Sequence, residues 1–99
     1  MTGASADLEE ARRIVLDGLR GHRVEVYLFG SWARGSADRV SDIDIGVLPL
    51  DPLPPGVLPG IAEALETSTV LHPVDLVDLS RASAAFRQRV LEEGIRWSG

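Results

Sequence analysis

Ninety-nine residues, no cysteine and a net charge of −5 exclude several kinds of protein at once. A disulfide framework and a thiolate zinc site both need cysteine, unaided nucleic-acid binding needs a positive surface, and no apolar run approaches the ~18 residues of a membrane span. What remains, with 44% hydrophobic residues, is a folded protein with the length of one domain, residues 1–99, and no spare chain for a second, substrate-gripping unit. The acidic, polar stretch Met1–Glu10 does not read as a signal peptide, which makes the cytoplasm the expected setting. All ten basic residues are arginine, and asparagine is absent; neither fact carries functional weight.

Ala4–Leu19 reads as an amphipathic helix, because Leu8, Ala11, Val15 and Leu19 recur at spacings of three and four. Asp7 with Glu10 resembles a capping-box variant at its start, Gly21 closes it, and Glu9, Arg12, Arg13 and Arg20 form a solvated face. Val24–Phe29 is the first strand, with Tyr27 as a packing residue. A glycine–serine turn (Gly30, Ser31) follows and opens a short helix through Trp32, Ala33 and Arg34. Gly35–Ser41 is a polar loop containing Asp38 and Arg39. Asp42–Leu48 is the second strand, and Pro49–Gly56, with four of the six prolines, is a stiff loop. Leu58, Ile61, Ala62 and Leu65 mark a helix that tolerates Pro59 in its first turn. Val74–Leu79 is the third strand. Asp78 at its end suits a turn or cap, and His72 before it is expected to be a solvent-facing loop residue. Ser80 is the expected N-cap of a last helix on which Ala82, Phe86 and Val90 step by fours, with Gly94 just past its end. Ile95 and Trp97 form either a short edge strand or an apolar contact for another protein.

The chemistry concentrates between the first two strands. Residues i and i+2 of a strand share a face, so Asp42 and Asp44 project together while Ile43, Ile45 and Val47 point into a core. Paired carboxylates repel unless a positive group lies between them, and a hard divalent cation such as magnesium supplies one through oxygen ligands. Gly30 lets the backbone approach a ligand closely, and the exposed N–H groups after it favour a phosphate. Arg34 and Arg39 are further phosphate candidates, since guanidinium matches phosphate geometry. Asp75, an acid set among valine and leucine in a strand, is costly unless paired or metal-bound, which makes it a third carboxylate of the same site. The implied ligand is a metal-bound nucleoside triphosphate.

Gly30-Ser31, ten intervening residues, then Asp42-Ile43-Asp44, with a later strand acid at Asp75, resembles the nucleotidyltransferase superfamily that includes DNA polymerase beta. Within it the chain is similar to minimal nucleotidyltransferases encoded beside HEPN-domain proteins, through Gly30–Gly35, Ser41–Asp44, Val74–Val77 and Val90–Gly94. Trp32 departs from the arginine frequent at that place. The resemblance implies an α/β (α+β) fold, a single nucleotidyltransferase domain with a small mixed β-sheet flanked by about four helices. It implies Asp42, Asp44 and Asp75 as catalytic residues and metal ligands, Asp75 alternatively as general base, and Gly30, Ser31, Arg34 and Ser41 as nucleotide-binding residues. Two Mg2+ ions, with Mn2+ as an alternative, would serve ATP as substrate. The implied role is an antitoxin that moves AMP from ATP onto a tyrosine of a HEPN toxin partner, with the first helix and the segment near Ile95 and Trp97 as contact surfaces and a homo-oligomer as an option. Two other roles are compatible: an antitoxin that masks its partner by binding alone, and a nucleotidyltransferase acting on a small molecule.

Overall fold

A computed structural model describes residues 3–37 and 41–98. Asp38 and Arg39, the latter a phosphate candidate from the sequence, lie outside the described residues. In chain order the elements are α1 (Gly3–Gly18), β1 (Val24–Phe29), α2 (Ser31–Arg34), β2 (Ile43–Pro49), α3 (Val57–Glu66), β3 (Val74–Asp78), a 3-10 turn (Leu79–Arg81), α4 (Ala84–Glu93) and β4 (Ile95–Ser98).

The strands form one sheet in the order β3-β2-β1-β4. β1 runs antiparallel to both β2 and β4, whereas β2 and β3 are parallel. A parallel neighbour needs a crossover, and α3 provides it. The sheet is therefore mixed, and Ile95–Ser98 is an edge strand, one of the two roles the sequence allowed.

Alternation along the strands sorts side chains onto two faces. One face is fully covered: Val24, Val26, Leu28, Ile43, Ile45 and Val47 pack with Ala11, Val15 and Leu19 of the α1 segment and Ile61 and Leu65 of α3. Each buried Val, Leu or Ile side chain of this layer contributes ~1.5–3 kcal/mol relative to exposure, so the layer holds the fold together. The opposite face is covered only in part. There Tyr27, Leu79 and Val90 are buried with Phe29, Leu48, Val77 and Phe86 packed around them. α4 and the 3-10 turn thus shield the middle of that face. The end of β1 and the start of β2 are left open.

Three local expectations change. Asp7 does not cap α1: the helix begins at Gly3, and Asp7 lies inside it with its carboxylate turned to the chain before β3. His72 does not face solvent, because its Nδ1 lies 2.6 Å from Asp7 Oδ2 with both side chains about nine-tenths buried, at 11% and 10% exposure. Ser80 does not cap the last helix. It lies in the 3-10 turn, where Asp78 accepts from its backbone N–H, and Ser83 caps α4 by accepting from Phe86 N at 3.1 Å. A sequence places a serine before a helix readily, but the intervening 3-10 turn shifts the helix start by one turn.

Candidate active site

The site is built where β1 ends and β2 begins. Phe29 pairs with Asp44, so the turn after β1 leads away from directly beside the Asp44 carboxylate. Gly30 at that turn has φ 76°, and a Cβ there would run into Asp44 Oδ2. Only glycine fits both demands. α2 starts immediately after, with Ala33 N and Arg34 N both donating to Gly30 O at 3.1 Å. The N–H groups of Ser31 and Trp32 belong to the first turn of this helix, whose leading donors have no intrahelical acceptor.

Asp44 and Asp75 stand opposite each other in the parallel β2–β3 register, and paired residues on neighbouring strands share a face. Asp42 lies just before β2, two residues from Asp44. Burial foremost, and then the charges of Asp75 and Asp42, hold the Asp44 carboxyl above the usual carboxylate range, and Arg34 pulls it part of the way back. The fold therefore brings Asp42, Asp44, Asp75, Gly30 and Arg34 into one electrostatic neighbourhood. Asp42 and Asp75 are exposed and Asp44 is half-buried. Asp75 is thus not buried as its apolar neighbours in sequence suggest.

Ser31 is half-buried at the start of α2, and Arg34 is exposed at its end. Ser41 also lies at the site, and its backbone carbonyl accepts a hydrogen bond from Trp32 Nε1 at 3.3 Å. Beside the turn opens a cavity of about 210 Å³, walled by Phe29, Gly30, Ala33, Arg34, Phe86 and Arg89. Phe29 and Phe86 meet edge to face there, with ring centroids 5.6 Å apart. Arg89 and Phe86 carried no signal in the sequence beyond helical spacing, because only the packing of α4 against β1 brings them to the turn.

Among the described residues no trio of His, Asp and Glu side chains is close enough to enclose an ion unaided. The donor chemistry nonetheless suits a small hard cation. The Asp44 carboxyl feels the charges of Asp75 and Asp42, and magnesium is commonly held by one or two carboxylates with phosphate oxygens and water completing its shell. Among the same residues, no helix is long and apolar enough to cross a membrane.

The polymerase beta nucleotidyltransferase family matches residues 22–96. The protein adenylyltransferase MntA of Shewanella oneidensis is 44% identical over 69 residues, 70% of this chain and 49% of that protein, so this chain spans about half the length of that relative. A crystal structure of a toxin–antitoxin with AMP-PNP matches at 35% identity and TM-score 0.70, over 89% of this chain and 73% of the matched one. The structure of a tri-AMPylated Shewanella oneidensis HEPN toxin in complex with its MNT antitoxin matches at 29% identity and TM-score 0.67, over 96% and 71%. The family match runs from before β1 into the start of β4 and includes the glycine–serine turn and all three acids, and on that ground the chain belongs to the polymerase beta family of nucleotidyltransferases.

Proposed function

We propose that this protein transfers AMP from ATP to a tyrosine hydroxyl of a HEPN-domain toxin and so acts as its antitoxin. The observation that carries this reading is the Asp44–Asp75 pair, set side by side in register beside a glycine turn that admits no Cβ. The resemblance to MntA and to antitoxins solved with HEPN toxins supports the choice of acceptor, and the match to an AMP-PNP complex supports the choice of nucleotide.

Asp42, Asp44 and Asp75 would hold magnesium, which when bound neutralises the polyphosphate and stabilises charge on the leaving oxygen. The turn at Gly30 and Ser31 offers backbone N–H groups to the phosphates, and Arg34 adds a cation beside them. Asp75, on the outer strand, is alternatively the base that accepts the proton of the incoming hydroxyl. The hydroxyl oxygen attacks the α-phosphorus in line, a new P–O bond forms, and the bond to the β-phosphate's bridging oxygen breaks. Pyrophosphate leaves with the electron pair. Most of the acceleration then comes from positioning and charge neutralisation rather than from covalent chemistry by the protein.

The test is incubation with α-labelled ATP, magnesium and the HEPN partner. Label on a partner tyrosine, reduced by about a hundredfold or more in Asp44→Asn, is the expected result. Toxin inhibition without label favours masking by binding and overturns transfer. Wild-type labelling by Asp44→Asn overturns the assignment of the acids.

A further inference from the structure

The Asp7–His72 pair and Trp32 lie outside every role assigned so far. Asp7 is 7% exposed on a helix, a place where a carboxylate is retained only with partners. Its Oδ2 accepts from Leu71 N at 2.9 Å and from His72 N at 3.0 Å, and His72 Nδ1 stands 2.6 Å from the same oxygen. An ionised carboxylate only accepts, so Nδ1 carries the proton in this contact. The His72 ring in turn meets Trp32 edge to face, with centroids 5.2 Å apart and planes at 90°. Trp32 Nε1 then donates to Ser41 O at 3.3 Å. Beside this chain of contacts, Ile43 N donates to Pro73 O at 2.9 Å.

Asp7, His72 and Trp32 are neighbours of the site residues, and Ser41 is where their chain of contacts reaches the site. Trp32 follows Ser31, Ser41 precedes Asp42, and His72 comes three positions before Asp75. The three segments that carry the phosphate turn and the acids arrive from different parts of the chain, and the contacts among Asp7, His72, Trp32 and Ser41 join all three to α1 and to one another. We propose that Asp7, His72 and Trp32 are positioning residues: a buried strut from α1 that sets the distance between the Gly30–Ser31 turn and the carboxylates of Asp42, Asp44 and Asp75. Trp32, the departure from the family pattern, is then a pillar that locks the turn to the start of β2, not a lost phosphate ligand. The effect on rate rests on the adenylyl-transfer reading; the strut itself does not.

Two variants separate the links. Trp32→Phe keeps an aromatic ring on the His72 side and removes the N–H given to Ser41 together with part of the ring. His72→Ala deletes the ring and leaves Asp7 its two backbone donors. Native-state hydrogen exchange at the amides of Ala33, Arg34 and Ile43 reports the held geometry without any need for activity, and it should rise about tenfold or more in both variants. AMP transfer to the HEPN partner should lose about 10–100-fold in kcat/KM. The loss should fall in kcat rather than in KM for ATP, and His72→Asn, whose side-chain amide can donate to Asp7 as Nδ1 does, should recover part of it. Unchanged exchange at the three amides overturns the strut. Raised exchange with kcat/KM at the wild-type value overturns the positioning role in the reaction. If His72→Ala fails to fold, Trp32→Phe carries the test alone. If the wild type labels no partner, the adenylyl-transfer reading fails and the exchange measurement still decides the strut.

Discussion

Asp44 and Asp7 show how two buried or half-buried acids in one small protein are pushed in opposite directions. Asp44, desolvated and flanked by Asp75 and Asp42, titrates above its ordinary value of 3.8. Its ionised form is therefore disfavoured in the folded state. Stability falls as pH rises from 3.8 through the raised value, and the penalty is constant above it. Asp44→Asn should accordingly unfold at a higher temperature than wild type without ligand at about pH 7, and the difference should vanish by about pH 3, as read by thermal denaturation across pH. Asp7 is desolvated too, but hydrogen bonds from the His72 side chain and the backbone N–H groups of His72 and Leu71 outweigh that and hold it below 3.8. Its contribution is present above 3.8 and is lost as pH falls through the lowered value. Gly30 gives a third expectation at this scale. Gly30→Ala places a side chain at positive φ and against the Asp44 carboxylate. It should cost about 1–3 kcal/mol in chemical denaturation and, on the proposed function, abolish AMP transfer.

At the scale of elements, the strands follow alternation closely, and the helix starts follow it less well. β1 is Val24–Phe29 as its pattern predicts, and β2 begins at Ile43, one residue after the expected start. α3 runs from Val57 to Glu66 and holds Pro59 in its first turn, where a missing N–H breaks no intrahelical bond. At the last helix the capping chemistry is where the difference lies. Ser83 O accepts from Arg87 N at 3.0 Å while its hydroxyl accepts from Phe86 N. Ser83→Ala should cost about 1 kcal/mol and lower the melting temperature by about 4–8 °C, whereas Ser80→Ala should leave the end of α4 unaffected. α4 supplies Phe86 and Arg89 to the cavity beside Gly30, so a frayed start to this helix should also loosen that wall of the cavity.

For the whole molecule the governing feature is asymmetry between the two faces of the sheet. α1 and α3 close one face completely, while α4 and the 3-10 turn close only part of the other. The acids stand at the margin of the open part, where a polyphosphate and a cation can reach them without opening the core. Ligand binding should therefore stabilise the fold without rearranging it. Magnesium with ATP at about a hundred times the dissociation constant should raise stability by about 2.7 kcal/mol, seen as a thermal shift that Asp42→Asn and Asp44→Asn abolish.

Much of this protein could be read from local pattern. Two-residue alternation placed Asp42 and Asp44 together and sent Ile43, Ile45 and Val47 inward, and Gly30-Ser31 at a fixed distance before them marked the turn. These features depend on neighbours a few positions apart, which is the range over which backbone periodicity acts. The Asp44–Asp75 register, the exposure of Asp75, the Asp7–His72 pair and the cavity between α2 and α4 had no such signature. Asp7 and His72 are 65 positions apart, and nothing within a strand or helix period connects them. They meet because the covering helix and the crossover bring their segments to the same side of the sheet, and that is a property of packing in three dimensions.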